Sequence, residues 1–239
     1  MADQWVIPDI HGCSKTLQEL VETQIRPKTG DAFYFLGDYI DRGPDSKGVI
    51  DYLMTLQNNG FNAHFLKGNH EEYLLKTLAY EPAPKRFIKL GRKNRFKEAW
   101  FAHGGEICMK SFGVDNLKQI PSVYLDWINS LEYYIELAGH ILVHAGLNFR
   151  IENPFDDQVD MLWTRDFEID PEKIGYKLIV HGHVPVHIDF IKLCINKPDY
   201  HFIDLDNGVY IQDKEGFGSL TAYELNSKTL LSQTNVDFQ

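Results

Sequence analysis

The chain has 239 residues, 44% of them hydrophobic, which suits one sizeable domain with a substantial core. Its 34 acidic residues outnumber 24 basic ones for a formal charge of −10, arguing against a general nucleic-acid binder, which needs basic surface for phosphates. No apolar run approaches the roughly 20 residues of a membrane span, and residues 1–5 lack the basic patch and apolar stretch of a signal peptide, so a cytoplasmic protein is expected.

Residues 4–7 form a short apolar run closed by Pro8, compatible with a strand feeding a loop. Leu17, Leu20, Val21 and Ile25 then recur at helical spacing. Residues 32–36 read as a second buried strand, with Val49, Ile50, Leu53 and Leu56 marking a second helix. A third strand over 61–66 and a third helix over 71–79 repeat the pattern. This βαβ rhythm predicts parallel pairing, and parallel strands gather the loops at their carboxyl ends on one edge.

Residues 81–131 break the rhythm with Pro82, Pro84 and Pro121, and predict a mostly helical insertion within a single domain spanning 1–239. That segment opens with seven basic residues and no acid between Lys85 and Lys97, read either as a solvated helix face or as a rim attracting acidic substrates. Apolar strands follow at 141–143 and 178–180. From His201 onward, alternation interrupted by Gly208, Gly216 and Gly218 predicts a β-rich C-terminal sheet with hairpins. Cys13, Cys108 and Cys194 are scattered without metal-ligand spacing and read as reduced thiols.

Five polar segments close five of the predicted strands: Asp9-Ile10-His11-Gly12, Gly37 to Gly43, Gly68-Asn69-His70-Glu71, His144-Ala145-Gly146 and His181-Gly182-His183. Asp9 and His11, two apart, would project to the same side of an extended segment. Asp38 follows a buried strand, where an unpaired carboxylate costs several kcal/mol, so it needs a cation beside it. Asn69 alone reads as a turn residue, and a lone histidine at a strand end as a satisfied core group. Beside three other polar loops, Asn69, His144 and His183 read instead as neutral oxygen and nitrogen ligands. A mixed carboxylate, amide and imidazole set suits manganese, iron or zinc.

The motif series resembles the phosphoprotein phosphatase family of calcineurin-like metallophosphoesterases, in particular its small bacterial and phage-type members. The resemblance runs from Asp9 to Asp206-Asn207-Gly208 and on to Gly218-Ser219-Leu220-Thr221-Ala222, and is most specific over residues 37–44 with 68–71. It implies an α/β (α+β) fold, with a central β-sandwich of two mixed sheets flanked by helices. It further implies two divalent metal ions, manganese first: Asp9 and His11 on one, Asp38 bridging, and Asn69, His144 and His183 on the other. His70 would stay off the metals with Asp41 as its partner, while Arg42 and Arg165 would hold phosphate oxygens. Three departures stand out. Pro8 replaces the usual small residue, His181 is an additional histidine that leaves open which of the pair binds, and His103 stands where asparagine is usual.

The reaction so implied is hydrolysis of phosphoserine and phosphothreonine in proteins by direct attack of a metal-bridging hydroxide, with His70 as general acid. The expected partner is a phosphorylated protein, with no nucleic acid and no membrane. Symmetrical dinucleoside tetraphosphate hydrolysis is the alternative, because the same ligands serve both. A phosphate-binding scaffold without catalysis is the remote one.

Overall fold

A computed structural model describes residues 2–80 and 94–238. Among the described residues, nine strands form two mixed sheets. In chain order they are β1 (Gln4–Ile7), β2 (Ala32–Phe35), β3 (Asn62–Phe65), β4 (Tyr134–Glu136), β5 (His140–Val143), β6 (Leu178–His181), β7 (Phe202–Asp204), β8 (Ser219–Glu224) and β9 (Leu230–Thr234). The first sheet has the order β3-β2-β1-β8-β9 and the second β4-β5-β6-β7. β1, β2 and β3 run parallel, as do β5, β6 and β7.

Alternation along the strands explains the layering. Trp5 and Ile7 of β1, with Phe33 and Phe35 of β2, pack into a core under the helices on one side. Val6, Ala32 and Tyr34 point the other way and meet Leu142, Val180 and Ile203 of the second sheet. Ile141, Val143 and Ile179 face outward onto a third core. The inner strands are buried on both faces, so they read as near-continuous apolar runs, and each fully buried side chain contributes about 1.5–3 kcal/mol.

The helices on the outer face of the first sheet include α1 (Ser14–Glu19), extended by a wider π-type turn to Ile25, α2 (Ser46–Asn58) and α3 (Asn69–Ala79). Residues 95–129 add α4 (Arg95–Ala102), α5 (Gly105–Ser111) and α6 (Ser122–Asn129), with α4 and α6 packing on α3. Two further helices, α7 (Gln158–Trp163) and α8 (Ile188–Asn196), lie beside the second sheet. No helix among the described residues is long and apolar enough to cross a membrane. Of the basic run, Lys85 to Lys93 lie outside the described residues, while Arg95 and Lys97 lie over the rings of Phe96 and Phe101.

The C-terminal strands include the hairpin that their alternation predicts, but they divide between the two sheets. β7 joins the second sheet parallel to β6, whereas the β8–β9 hairpin completes the first, antiparallel to β1. Alternation reports which face of a strand is buried and carries no information on its partner.

Candidate metal centre

The five polar loops leave the carboxyl ends of β1, β2, β3, β5 and β6, three from one sheet and two from the other. Hydrogen bonds across the sandwich seam tie them together. Nδ1 of His144 donates to the Leu36 carbonyl at 2.9 Å, and the backbone N–H of His183 donates to Asp9 Oδ1 at 3.0 Å.

Asp38 stands at the middle. Its Oδ2 lies 3.6 Å from His11 Nε2, 3.6 Å from His144 Nε2 and 3.9 Å from His70 Nε2, and its Oδ1 accepts the backbone N–H of His70. It belongs to two groups of convergent donor atoms, one with His11 and His70, the other with His144 and His183. Asn69 joins the second group, its Oδ1 being 2.9 Å from His144 Nε2 and 3.0 Å from His183 Nδ1.

Tautomers decide what these contacts are. His144 donates through Nδ1, so its neutral ring presents a lone pair at Nε2 to Asn69 Oδ1 and Asp38 Oδ2. His11 likewise donates Nδ1–H to the Ile40 carbonyl at 3.0 Å, turning its Nε2 lone pair toward Asp38 and Asp9. Burial holds the His11 and His144 imidazoles below their ordinary pKa and takes His183 down to about 3, so all three stay neutral. Burial alone would raise Asp38, but positive charge placed where the surrounding histidines converge overcomes it and holds the carboxyl well below its usual range. Asp9 Oδ2 has no hydrogen-bond partner among the described residues. Lone pairs thus converge on two points, and a divalent cation at each would supply positive charge to them. The donor set fits.

The backbone is shaped for this convergence. His11, Asp38, Asp41, Arg42 and His183 all adopt positive φ, between 46° and 77°. The turn at Asp38 points successive N–H groups at Glu71, whose carboxylate accepts from Gly68, Asp38 and Tyr39 at 2.9–3.0 Å and from Ile40 at 3.3 Å. Gly68 must be glycine, because a Cβ there would overlap Asp38 Oδ1 and its backbone nitrogen. His11 is therefore not extended, and turning rather than strand pleating brings it beside Asp9.

Residues 4–205 match the calcineurin-like phosphoesterase family. The chain belongs to that family. Among curated proteins, this phosphoesterase is 28% identical to serine/threonine-protein phosphatase 1 of Salmonella typhimurium over 214 residues, covering 84% of each chain. It is 29% identical to the symmetrical bis(5'-nucleosyl)-tetraphosphatase of Bordetella pertussis over 146 residues, 60% of this chain but only 43% of that enzyme's length. A solved protein serine/threonine phosphatase from Saccharomyces cerevisiae shares the fold with a TM-score of 0.63 at 14% identity, covering 98% of this chain and 80% of that one.

Beside these convergent donor groups, the phosphoesterase carries a buried dyad. His70 Nδ1 lies 2.6 Å from Asp41 Oδ2, which also accepts Trp100 Nε1–H at 2.8 Å from α4. Burial lowers the His70 pKa, but the Asp38 and Asp41 carboxylates outweigh it and the net shift is upward. Arg42 Nη2 stands 3.3 Å from His70 Nε2, and its guanidinium carbon lies 4.2 Å over the ring of Tyr210. The same Tyr210 ring makes an edge contact with His11, centroids 5.0 Å apart.

Arg165 is exposed and forms no ion pair among the described residues, and its charge reaches both His183 and Tyr73. His181 stands apart from the cluster, its ring 5.5 Å from Phe167 and 5.6 Å from Phe202, so His183 is the histidine of the pair that faces Asp38. His103 stacks on Tyr73 at 5.5 Å and donates Nδ1–H to the Ala99 carbonyl. Cys13 is buried, which pushes its thiol up to about 12. Glu71, Trp100 and Tyr210 are the site residues that sequence reading missed. Only Glu71 carried a signal, sitting in the same four-residue motif as Asn69 and His70.

Proposed function

We propose that this metallophosphoesterase is a phosphomonoesterase that removes phosphate from phosphoserine and phosphothreonine in proteins. The observation that carries the reading is the His70–Asp41 dyad, held beside the two lone-pair clusters with the Arg42 guanidinium 3.3 Å from His70 Nε2. Similarity to serine/threonine-protein phosphatase 1 over 84% of both chains supports it.

In this reading Asp9, His11 and Asp38 would hold one divalent cation, and Asp38, Asn69, His144 and His183 would hold the other, manganese being the first choice. Cations held there would lower the pKa of water and so supply a nucleophile near neutral pH. Arg42 and Arg165 fork onto the non-bridging phosphoryl oxygens and steady the charge that develops there. His70, kept protonated by Asp41, gives its Nε2 proton to the departing serine or threonine oxygen, a poor leaving group without it. Trp100 holds Asp41 in place.

A second reading, symmetrical dinucleoside tetraphosphate hydrolysis, is favoured by the Bordetella similarity and uses the same ligands. A manganese-supplemented assay separates the two. Higher kcat/KM on phosphoserine and phosphothreonine peptides supports the phosphatase. Preferential release of ADP from diadenosine tetraphosphate refutes it in favour of the second reading.

A further inference from the structure

A cavity of about 240 Å³ opens at the carboxyl edge of the second sheet, sharing its wall with the candidate centre. Ala145, next to His144, Gly182, next to His183, and Arg165 all line it. The remaining wall is mainly apolar and aromatic, with Phe167, Phe190, Phe202 and Val186. Two buried polar side chains interrupt it, His181 at 7% exposure and Asp204 at 4%, cross-strand neighbours on β6 and β7.

His181 lies 3.1 Å through Nδ1 from the Gly182 carbonyl, so Nδ1–H donates and Nε2 is left as an acceptor. That Nε2 has no hydrogen-bond partner among the described residues. A buried acceptor left unmatched is unfavourable, and native chains keep few of them. Asp204, whose Oδ1 already takes the Asp206 N–H, is pushed toward its protonated form by burial and the Asp206 carboxylate, so its carboxyl can accept or donate.

We propose that this cavity is a specificity subsite that takes an aromatic side chain tipped with a hydrogen-bond donor, tyrosine first, from a residue flanking the phosphorylated one. The proposal rests on the phosphoprotein reading above. Three features select the occupant. The volume holds one ring rather than a longer segment, the Phe167, Phe190 and Phe202 rings suit an aromatic guest, and the acceptors of His181 and Asp204 suit an O–H. Arg165 stands in the same wall, so one peptide can place its phosphate on the guanidinium and a neighbouring ring inside.

The test is a phosphoserine peptide series in which one flanking residue is tyrosine, phenylalanine or alanine, measured on the wild-type protein and on His181→Phe. Hydrolysis of p-nitrophenyl phosphate and the melting temperature serve as controls. Tyrosine should exceed alanine by about tenfold or more in kcat/KM, carried by KM, and should exceed phenylalanine. In His181→Phe the tyrosine-over-phenylalanine advantage should vanish while aryl phosphate turnover stays unchanged. Equal kcat/KM across the wild-type series overturns the subsite and leaves the phosphoprotein reading standing. Inert peptides with rapid cleavage of diadenosine tetraphosphate overturn both, and make the cavity a place for a nucleobase.

Discussion

Replacing Asp41 with asparagine removes the negative charge that sustains the His70 imidazolium while leaving its volume in place. The bond to be lost spans 2.6 Å between fully buried groups, and Asp41 Oδ1 has no partner among the described residues that could receive the new amide hydrogens. A hydrogen bond to a charged group contributes about 1.5–3 kcal/mol. At about 1.36 kcal/mol per pKa unit, the His70 pKa should fall by about one to two units. The sign follows from the role. A raised pKa keeps His70 protonated to higher pH, so an activity that needs its proton is lost as pH rises through that value, and Asp41→Asn must bring the loss to lower pH. On phosphoserine peptides the alkaline limb of kcat should therefore move down by about one to two units, with rates above it about 10–100-fold lower. On p-nitrophenyl phosphate, whose leaving group departs without a proton, the fall should be far smaller. An unmoved limb, or equal losses on both substrates at unchanged metal content, would refute the assignment of His70 as general acid.

Three further outcomes are expected. Asp38→Asn should lose bound manganese at both positions, read as metal per chain by elemental analysis, and a protein retaining two ions would exclude Asp38 as the shared ligand. Gly68→Ala forces a Cβ onto Asp38 and should lower stability by about 1–3 kcal/mol in denaturant unfolding of the metal-free protein; an unchanged midpoint would show that the loop gives way freely. Tyr210→Leu removes the ring beneath the Arg42 guanidinium and should weaken inhibition by inorganic phosphate several-fold, whereas Tyr210→Phe should restore it. Equal weakening in both variants would assign the effect to the hydroxyl.

The parallel strands and the edge where their loops gather were legible because burial on both faces writes continuous apolar runs, and each run ends on a polar motif. Asp9, His11, Asp38, Asn69, His144 and His183 could be named as candidates for the same reason, since each lies within a few residues of a strand's carboxyl end. What could not be read was anything depending on distant chain segments meeting. Trp100 reaches Asp41 across 59 positions, and Tyr210 meets Arg42 from a loop after β7. Neither carries a local pattern, because an indole or phenol on a helix or loop reads as ordinary core or surface. Sheet membership of β7 and β8 was hidden too, since it depends on which edge is vacant rather than on composition. Pleat and turn set His181 and His183 apart. His181 ends β6 facing aromatic rings, and the positive φ of His183 turns it back toward Asp38.

Ten non-glycine residues among those described have positive φ, and they divide evenly between two kinds of place. Five belong to the centre, and the others are Arg26, Tyr176, His201, Asp213 and Lys228. Each left-handed residue costs about 1–2 kcal/mol relative to an unstrained one. For anyone seeking a hardier enzyme the two sets are not equivalent. Glycine at Arg26, Tyr176 or Lys228 relieves a turn at no expense to chemistry, so heat tolerance can be raised from the periphery. The same exchange at His11 or Asp38 would relax the backbone and delete the side chain it was bent to aim. Durability and activity are thus separable over half of this chain's left-handed turns and opposed over the other half.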